Sequence, residues 1–233
     1  MPEIFFRGGC GRVEARYIQS SNVDAPVALV LHPHPQYGGT MNNKVVYKAY
    51  TMLAQNGFTV LRMNFRGVGK SQGEFDHGEG ELVDAGMALD WLQVNNQRCL
   101  NFWIVGFSFG SWIGMQLIMR RPEINNFISI APPVAKFDFS FLYPCPIPGL
   151  IIQGNRDSSV LESSVSNVID KLNKPRQDGV KYKMIEGADH LFREHLEELG
   201  QSIDQYIKYK MKVLPDGDFS DCDIRKTKKI LLI

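Results

Sequence analysis

One pentapeptide constrains this chain more than any other: Gly106-Phe107-Ser108-Phe109-Gly110. It follows an apolar, β-rich run from Asn101 to Gly106 and precedes a helical pattern from Trp112 to Arg120. A serine on so sharp a strand-to-helix turn carries its hydroxyl above the end of a sheet. The flanking glycines let the strained backbone pass close to strand and helix.

The rest of the chain repeats the alternation that this turn requires. Phe5 lies in a short first strand, and Gly8-Gly9-Cys10-Gly11 is a turn into a half-exposed strand from Arg12 to Gln19. Apolar runs at Val27–His32, Phe58–Phe65, Phe127–Ala131, Leu150–Gln153 and Lys181–Ile185 complete a predicted set of eight strands. Such short runs suit strands buried on both faces. Helices are predicted over Lys44–Gln55, Glu81–Gln93, Trp112–Arg120, Val160–Leu172 and Leu191–Lys210. Strands alternating with helices predict an α/β fold with a mostly parallel sheet, helices on both faces and an antiparallel first pair.

A serine hydroxyl is a weak nucleophile and needs a base, and the base needs a carboxylate to fix its tautomer. On this architecture the expected order is serine, acid, histidine. The strand ending at Gly154 is followed by Asn155-Arg156-Asp157, and the last strand by Gly187-Ala188-Asp189-His190. Asp157 and His190 therefore fall on consecutive loops at the carboxyl edge of the sheet, where ligands bind. Asp157 is favoured as the acid, with Asp138 and Asp189 as competitors. An oxyanion hole needs two backbone N–H groups. Phe109 follows the nucleophile and supplies one. The loop His32-Pro33-His34-Pro35 supplies the other, and since proline has no N–H, His34 is the candidate, with Gln36 as fallback.

The pentapeptide, the His32-Pro33-His34-Pro35 loop and the turn Asn64-Phe65-Arg66-Gly67-Val68-Gly69-Lys70-Ser71-Gln72-Gly73 together resemble α/β-hydrolase superfamily motifs. The likeness spans residues 1–212, and the loop from His32 to Lys44 is similar to that of small bacterial hydrolases without a large cap. These lie near the dienelactone-hydrolase-like and prolyl-oligopeptidase-like branches. Dienelactone hydrolases proper use cysteine where this chain has Ser108, which argues against lactone chemistry of that kind. The resemblance implies an eight-stranded α/β-hydrolase domain over residues 1–212 followed by a tail over 213–233. That tail turns from acidic to basic and ends Ile230-Leu231-Leu232-Ile233.

Other signals narrow the field. The formal net charge of +1 gives no nucleic-acid footprint. No apolar run approaches the roughly 20 residues of a membrane span, and the first residues lack the pattern of a signal peptide. Cys10, Cys99, Cys145 and Cys222 are scattered, with no metal-ligand spacing, and read as reduced thiols of a cytoplasmic protein. Gly69-Lys70-Ser71 ends like a phosphate-binding loop, but Asn64 stands where its first glycine is required. His32 and His34 lack a third metal ligand. No metal or cofactor is expected. The expected partner is a small-molecule substrate, with room for a homo-oligomer.

The irregular stretch Val134–Pro148 reads either as core or as an acyl pocket formed by Phe137, Phe139, Phe141 and Tyr143. It is too short for a helical cap, so an open site and short acyl groups are expected. The function expected is hydrolysis of a carboxylic ester or thioester through an acyl-enzyme on Ser108. An aminoacyl-peptidase-like amidase is the alternative, and a non-catalytic binding protein stands further off.

Overall fold

The computed structural model describes residues 3–173 and 179–211. The tail expected over 213–233, with Cys222, lies outside the described residues. The strands are β1 (Glu3–Gly8), β2 (Gly11–Ile18), β3 (Val27–Leu31), β4 (Thr59–Met63), β5 (Phe102–Phe107), β6 (Ile124–Ile130), β7 (Gly149–Gly154) and β8 (Val180–Ile185). The helices are α1 (Lys44–Gln55), α2 (Glu79–Asn95), α3 (Phe109–Ile118), α4 (Glu162–Leu172) and α5 (Leu196–Lys210). One eight-stranded sheet runs in the order β1-β2-β4-β3-β5-β6-β7-β8. β1 pairs antiparallel with β2, and β2 antiparallel with β4; every other pairing is parallel.

The apolar runs hide a period of two. On β3, Val27, Leu29 and Leu31 face one layer and Ala28 and Val30 the other; on β5, Phe102 and Ile104 divide from Trp103 and Val105 in the same way. One layer receives α2, α3 and α4 through Leu89, Ile113 and Ile169. The opposite layer receives α1 and α5 through Tyr50, Leu53, Ile203 and Tyr206. With a helix layer on each face, all five residues of β3 and of β4 are buried, which is why these strands read as continuous runs.

The Arg66–Gly73 turn is a structural clamp. The Arg66 guanidinium grips the Asp84 carboxylate of α2 with two hydrogen bonds, Nε to Oδ2 at 2.8 Å and Nη2 to Oδ1 at 3.0 Å. Glu14 of β2 accepts from Asn64 Nδ2 and from the Lys70 amide at 2.8 and 2.7 Å. Ser71 Oγ donates to the Asn64 carbonyl at 2.8 Å. These groups of the turn are thus spent on the protein.

Several boundaries differ from expectation, and two of them bear on the site. Helix α3 begins at Phe109, immediately after Ser108, because the turn is a single residue. Helix α5 begins at Leu196, five residues later than the amphipathic pattern suggests. The Asp189 carboxylate accepts from the Arg193 amide at 2.9 Å and Phe192 has φ of 52°, so a separate turn precedes the helix and keeps His190 on a loop.

Candidate active site

Ser108 has φ of 52° and ψ of −117°, outside the ordinary range for a residue with a side chain. Its amide is anchored to the Ile130 carbonyl at 2.8 Å. A Cβ at Gly106 would collide with the Gly110 carbonyl, and one at Gly110 would meet the Leu31 and His32 carbonyls, so neither flanking glycine admits a side chain. The turn lifts the Ser108 hydroxyl to 3.2 Å from His190 Nε2. His190 Nδ1 lies 2.7 Å from Asp157 Oδ2.

Asp157 is 4% exposed. Its Oδ1 accepts from the Ser159 and Val160 amides at 2.7 and 3.0 Å, and its Oδ2 from Gln153 Nε2 at 3.0 Å. Burial works to raise its pKa, but the bond and charge interaction with His190 and the two amides outweigh it and hold the carboxyl below the usual range. An ionised, immobilised carboxylate of this kind fixes the imidazole with Nε2 toward the serine. Neither competing acid meets His190: Asp189 pairs with Arg193 at 3.1 Å, and Asp138 is turned onto Ser140.

Phe109 opens α3, so its N–H has no acceptor within the helix. Neither its amide nor that of His34 is donated to any protein group among the described residues, and both residues line the cavity at Ser108. The Gln36 amide, the fallback, is taken by His34 Nδ1 at 3.3 Å.

Sequence reasoning missed what holds this loop. His32 is fully buried; its Nε2 accepts from the Phe65 amide at 3.0 Å, which leaves the proton on Nδ1, 2.6 Å from the Pro33 carbonyl. Burial pushes its pKa down to about 4, against the hydrogen bond to Pro33, so the ring is neutral at neutral pH. Asn64 Oδ1 accepts from the Met41 amide at 2.8 Å, and Arg62 Nη1 donates to the Met41 carbonyl and to Asn42 Oδ1 at 2.6 and 2.9 Å. The one available signal was a charged or polar residue inside an apolar run.

The cavity measures about 490 Å³. Phe137 lines it and stacks on Trp112 with ring centroids 4.2 Å apart. Phe139, Phe141 and Tyr143, expected beside it, do not line it. The Asp138 carboxylate takes the Ser140 amide and hydroxyl at 2.8 and 2.7 Å and starts a 3₁₀ turn over Ser140–Leu142. That turn carries the chain toward α4, where Phe139 and Phe141 pack against the core and Lys171 lies over Tyr143. Val160, Leu191 and Pro133 supply the apolar lining that those rings do not.

A model of the X-Pro dipeptidyl-peptidase (S15) family matches residues 12–143, from β2 past Ser108 to the 3₁₀ turn after β6. The chain belongs to this family of α/β hydrolases. An uncharacterised protein of Rickettsia prowazekii is 57% identical to this S15-family member over 211 residues, 89% of each chain. A protein of unknown function from Agrobacterium tumefaciens, assigned to the α/β hydrolases, superposes with a TM-score of 0.88 at 48% identity, covering 91% of this chain and 97% of that one. An α/β serine hydrolase without a lid from Xanthomonas campestris gives 0.81 at 30% identity over 93% and 96% of the two chains. The likeness to cap-less relatives agrees with the connection between β6 and β7, whose only helical element is the 3₁₀ turn at Ser140–Leu142.

Proposed function

We propose that this α/β serine hydrolase cleaves carboxylic esters or thioesters through an acyl-enzyme on Ser108. The observation that carries the reading is the unbroken chain from Ser108 Oγ through His190 to the buried Asp157. Ser108 Oγ attacks the acyl carbon and its proton passes to His190 Nε2. The Phe109 and His34 amides stabilise the oxyanion. The bond to the leaving oxygen or sulfur breaks, and that atom takes the proton from Nε2. Water then gives a proton to Nε2 and attacks the acyl-enzyme, releasing the acid and restoring the serine. Asp157 stays ionised throughout.

The family match favours peptide or amide hydrolysis as a second reading. Removing a dipeptide from a free N-terminus calls for an anion to hold the substrate's ammonium group in a partly desolvated site. Among the described residues, no aspartate or glutamate lines the cavity, whereas Lys136 does, and this supports the ester reading. A cytoplasmic location suits the thiols of Cys10 and Cys99. The test is a fluorophosphonate probe followed by ester, thioester and aminoacyl chromogenic substrates. Covalent labelling of Ser108 and turnover of esters support the proposal. Labelling with turnover of X-Pro substrates alone would establish the second reading, and no labelling would defeat both.

A further inference from the structure

The cavity has two walls drawn from the two helix layers. Leu191, next to His190, packs with the α1 and α5 layer, whereas Phe137, next to Lys136, packs with the α2, α3 and α4 layer. The leaving group must meet His190 Nε2 to take its proton, so it departs along the His190 wall. The acyl half then lies toward the opposite wall, and the cation there is Lys136.

Lys136 is held in place but is not neutralised. Its amide donates to the Pro133 carbonyl at 2.9 Å, and the next amide, Phe137, donates to the same carbonyl at 3.1 Å, so the backbone is a fixed turn. Its ammonium reaches across the mouth to the Tyr37 ring, 6.0 Å from the centroid, and Tyr37 is itself 80% exposed. No carboxylate pairs with Lys136 among the described residues. The nearest acid in sequence, Asp138, is committed to Ser140. Glu81, which faces His34 from α2, is buried and caps the Asp76 and Gly78 amides at 3.0 and 2.8 Å. The charge of Lys136 is felt inside the site: burial first, then this cation and His77, hold the His34 imidazole below its ordinary pKa, with Glu81 opposing.

We propose that Lys136, with the Tyr37 ring beside it, forms an acyl-side subsite for a carboxylate, so that the preferred substrates are half-esters of dicarboxylic acids. The proposal rests on the acyl-enzyme reading above. The apolar stretch between Ser108 and Lys136, lined by Pro133 and Phe137, accommodates the methylenes of the diacid, and the terminal carboxylate meets the ammonium. Hydrolysis releases a free dicarboxylate and the alcohol, with no other reactant than water.

The test compares p-nitrophenyl half-esters of succinate, glutarate and adipate with the corresponding methyl-capped diesters. Spontaneous hydrolysis is subtracted using the Ser108→Ala protein. For a single partly exposed ion pair, wild-type kcat/KM should favour the best half-ester by roughly 2- to 5-fold at low salt, and less at high salt. Lys136→Met should abolish that advantage and leave the neutral diesters unchanged, and Lys136→Glu should invert it. Equal rates on charged and capped esters in the wild type, or a preference that survives Lys136→Met, would overturn the subsite. A wild-type protein that turns over neither half-esters nor diesters would instead overturn the acyl-enzyme reading.

Discussion

His32 Nδ1 donates to the Pro33 carbonyl across 2.6 Å, and the same peptide plane carries the His34 N–H. The Pro33–His34 bond is trans, since the one cis peptide among the described residues is Tyr143–Pro144, so its carbonyl and N–H point in opposite directions. A carbonyl pulled inward by His32 directs the N–H outward, to the cavity. The buried imidazole therefore acts through the peptide beside it, as a positioning residue for one proposed oxyanion donor.

His32→Leu should lower kcat by about 10- to 100-fold with little change in KM, because a donor that has lost its orientation serves the transition state more than the ground state. His32→Asn, which retains a donor and an acceptor, should recover part of the loss. Steady-state kinetics on one ester checks both. A fall in KM-linked binding with kcat intact would remove the positioning role.

The same residue makes stability depend on pH. Its folded pKa of about 4 lies below the ordinary 6.5, so the unfolded chain binds the proton first as pH falls. Its contribution is complete above pH 6.5 and is lost progressively toward pH 4, amounting to about 3 kcal/mol across that window. Urea midpoints measured at pH 7 and pH 5 should differ more for the wild type than for His32→Asn.

The choice of acid is open to a paired substitution. Asp157→Asn should lower kcat by about 10⁴-fold by removing the charge that fixes the His190 tautomer. Asp189→Asn removes the partly exposed pair with Arg193, while the asparagine Oδ1 can still accept from the Arg193 amide, and should leave kcat within about twofold. Comparable losses in the two variants would count against Asp157 as the acid.

Acyl length is set by how much surface a cap-less cavity removes from water. Each methylene is worth about 0.8 kcal/mol only when fully buried. Among neutral p-nitrophenyl esters, kcat/KM should peak at roughly two to six acyl carbons and not rise when long-chain substrates form micelles. Phe137→Ala should flatten that profile, because Phe137 alone of the four aromatic residues in its stretch lines the cavity. A steady climb through long chains would contradict the open site.

Much of the fold was legible because the central strands share one continuous apolar pattern and helical patterns stand between them. Helix α1 falls at Lys44–Gln55, as its apolar spacing predicts. Ser108, Asp157 and His190 were legible because each lies on a loop that ends a recognisable strand, in the order that the architecture demands. The aromatic stretch divides between its two readings, pocket for Phe137 and core for the others, for a definite reason. Phe137, Phe139, Phe141 and Tyr143 alternate like one face of a strand, but a local carboxylate-to-amide bond at Asp138 turns the chain between the first and the second. His32, Asn64 and Gln153 were invisible because their roles depend on groups that only the folded loops bring around them. Gln153, for instance, is read only once Asp157 Oδ2 and the Val160 carbonyl are seen around its amide.

The contributors to the site leave the sheet at β3, β5, β7 and β8, and the serine and histidine are 82 positions apart in the chain. As the polypeptide emerges from the ribosome, Ser108 is made long before its base. Until β8 has joined the sheet edge, the hydroxyl is an alcohol of ordinary reactivity, and the nascent chain is chemically silent toward esters. Appearance of probe labelling during synthesis would therefore time the arrival of the last strand and of His190 behind it.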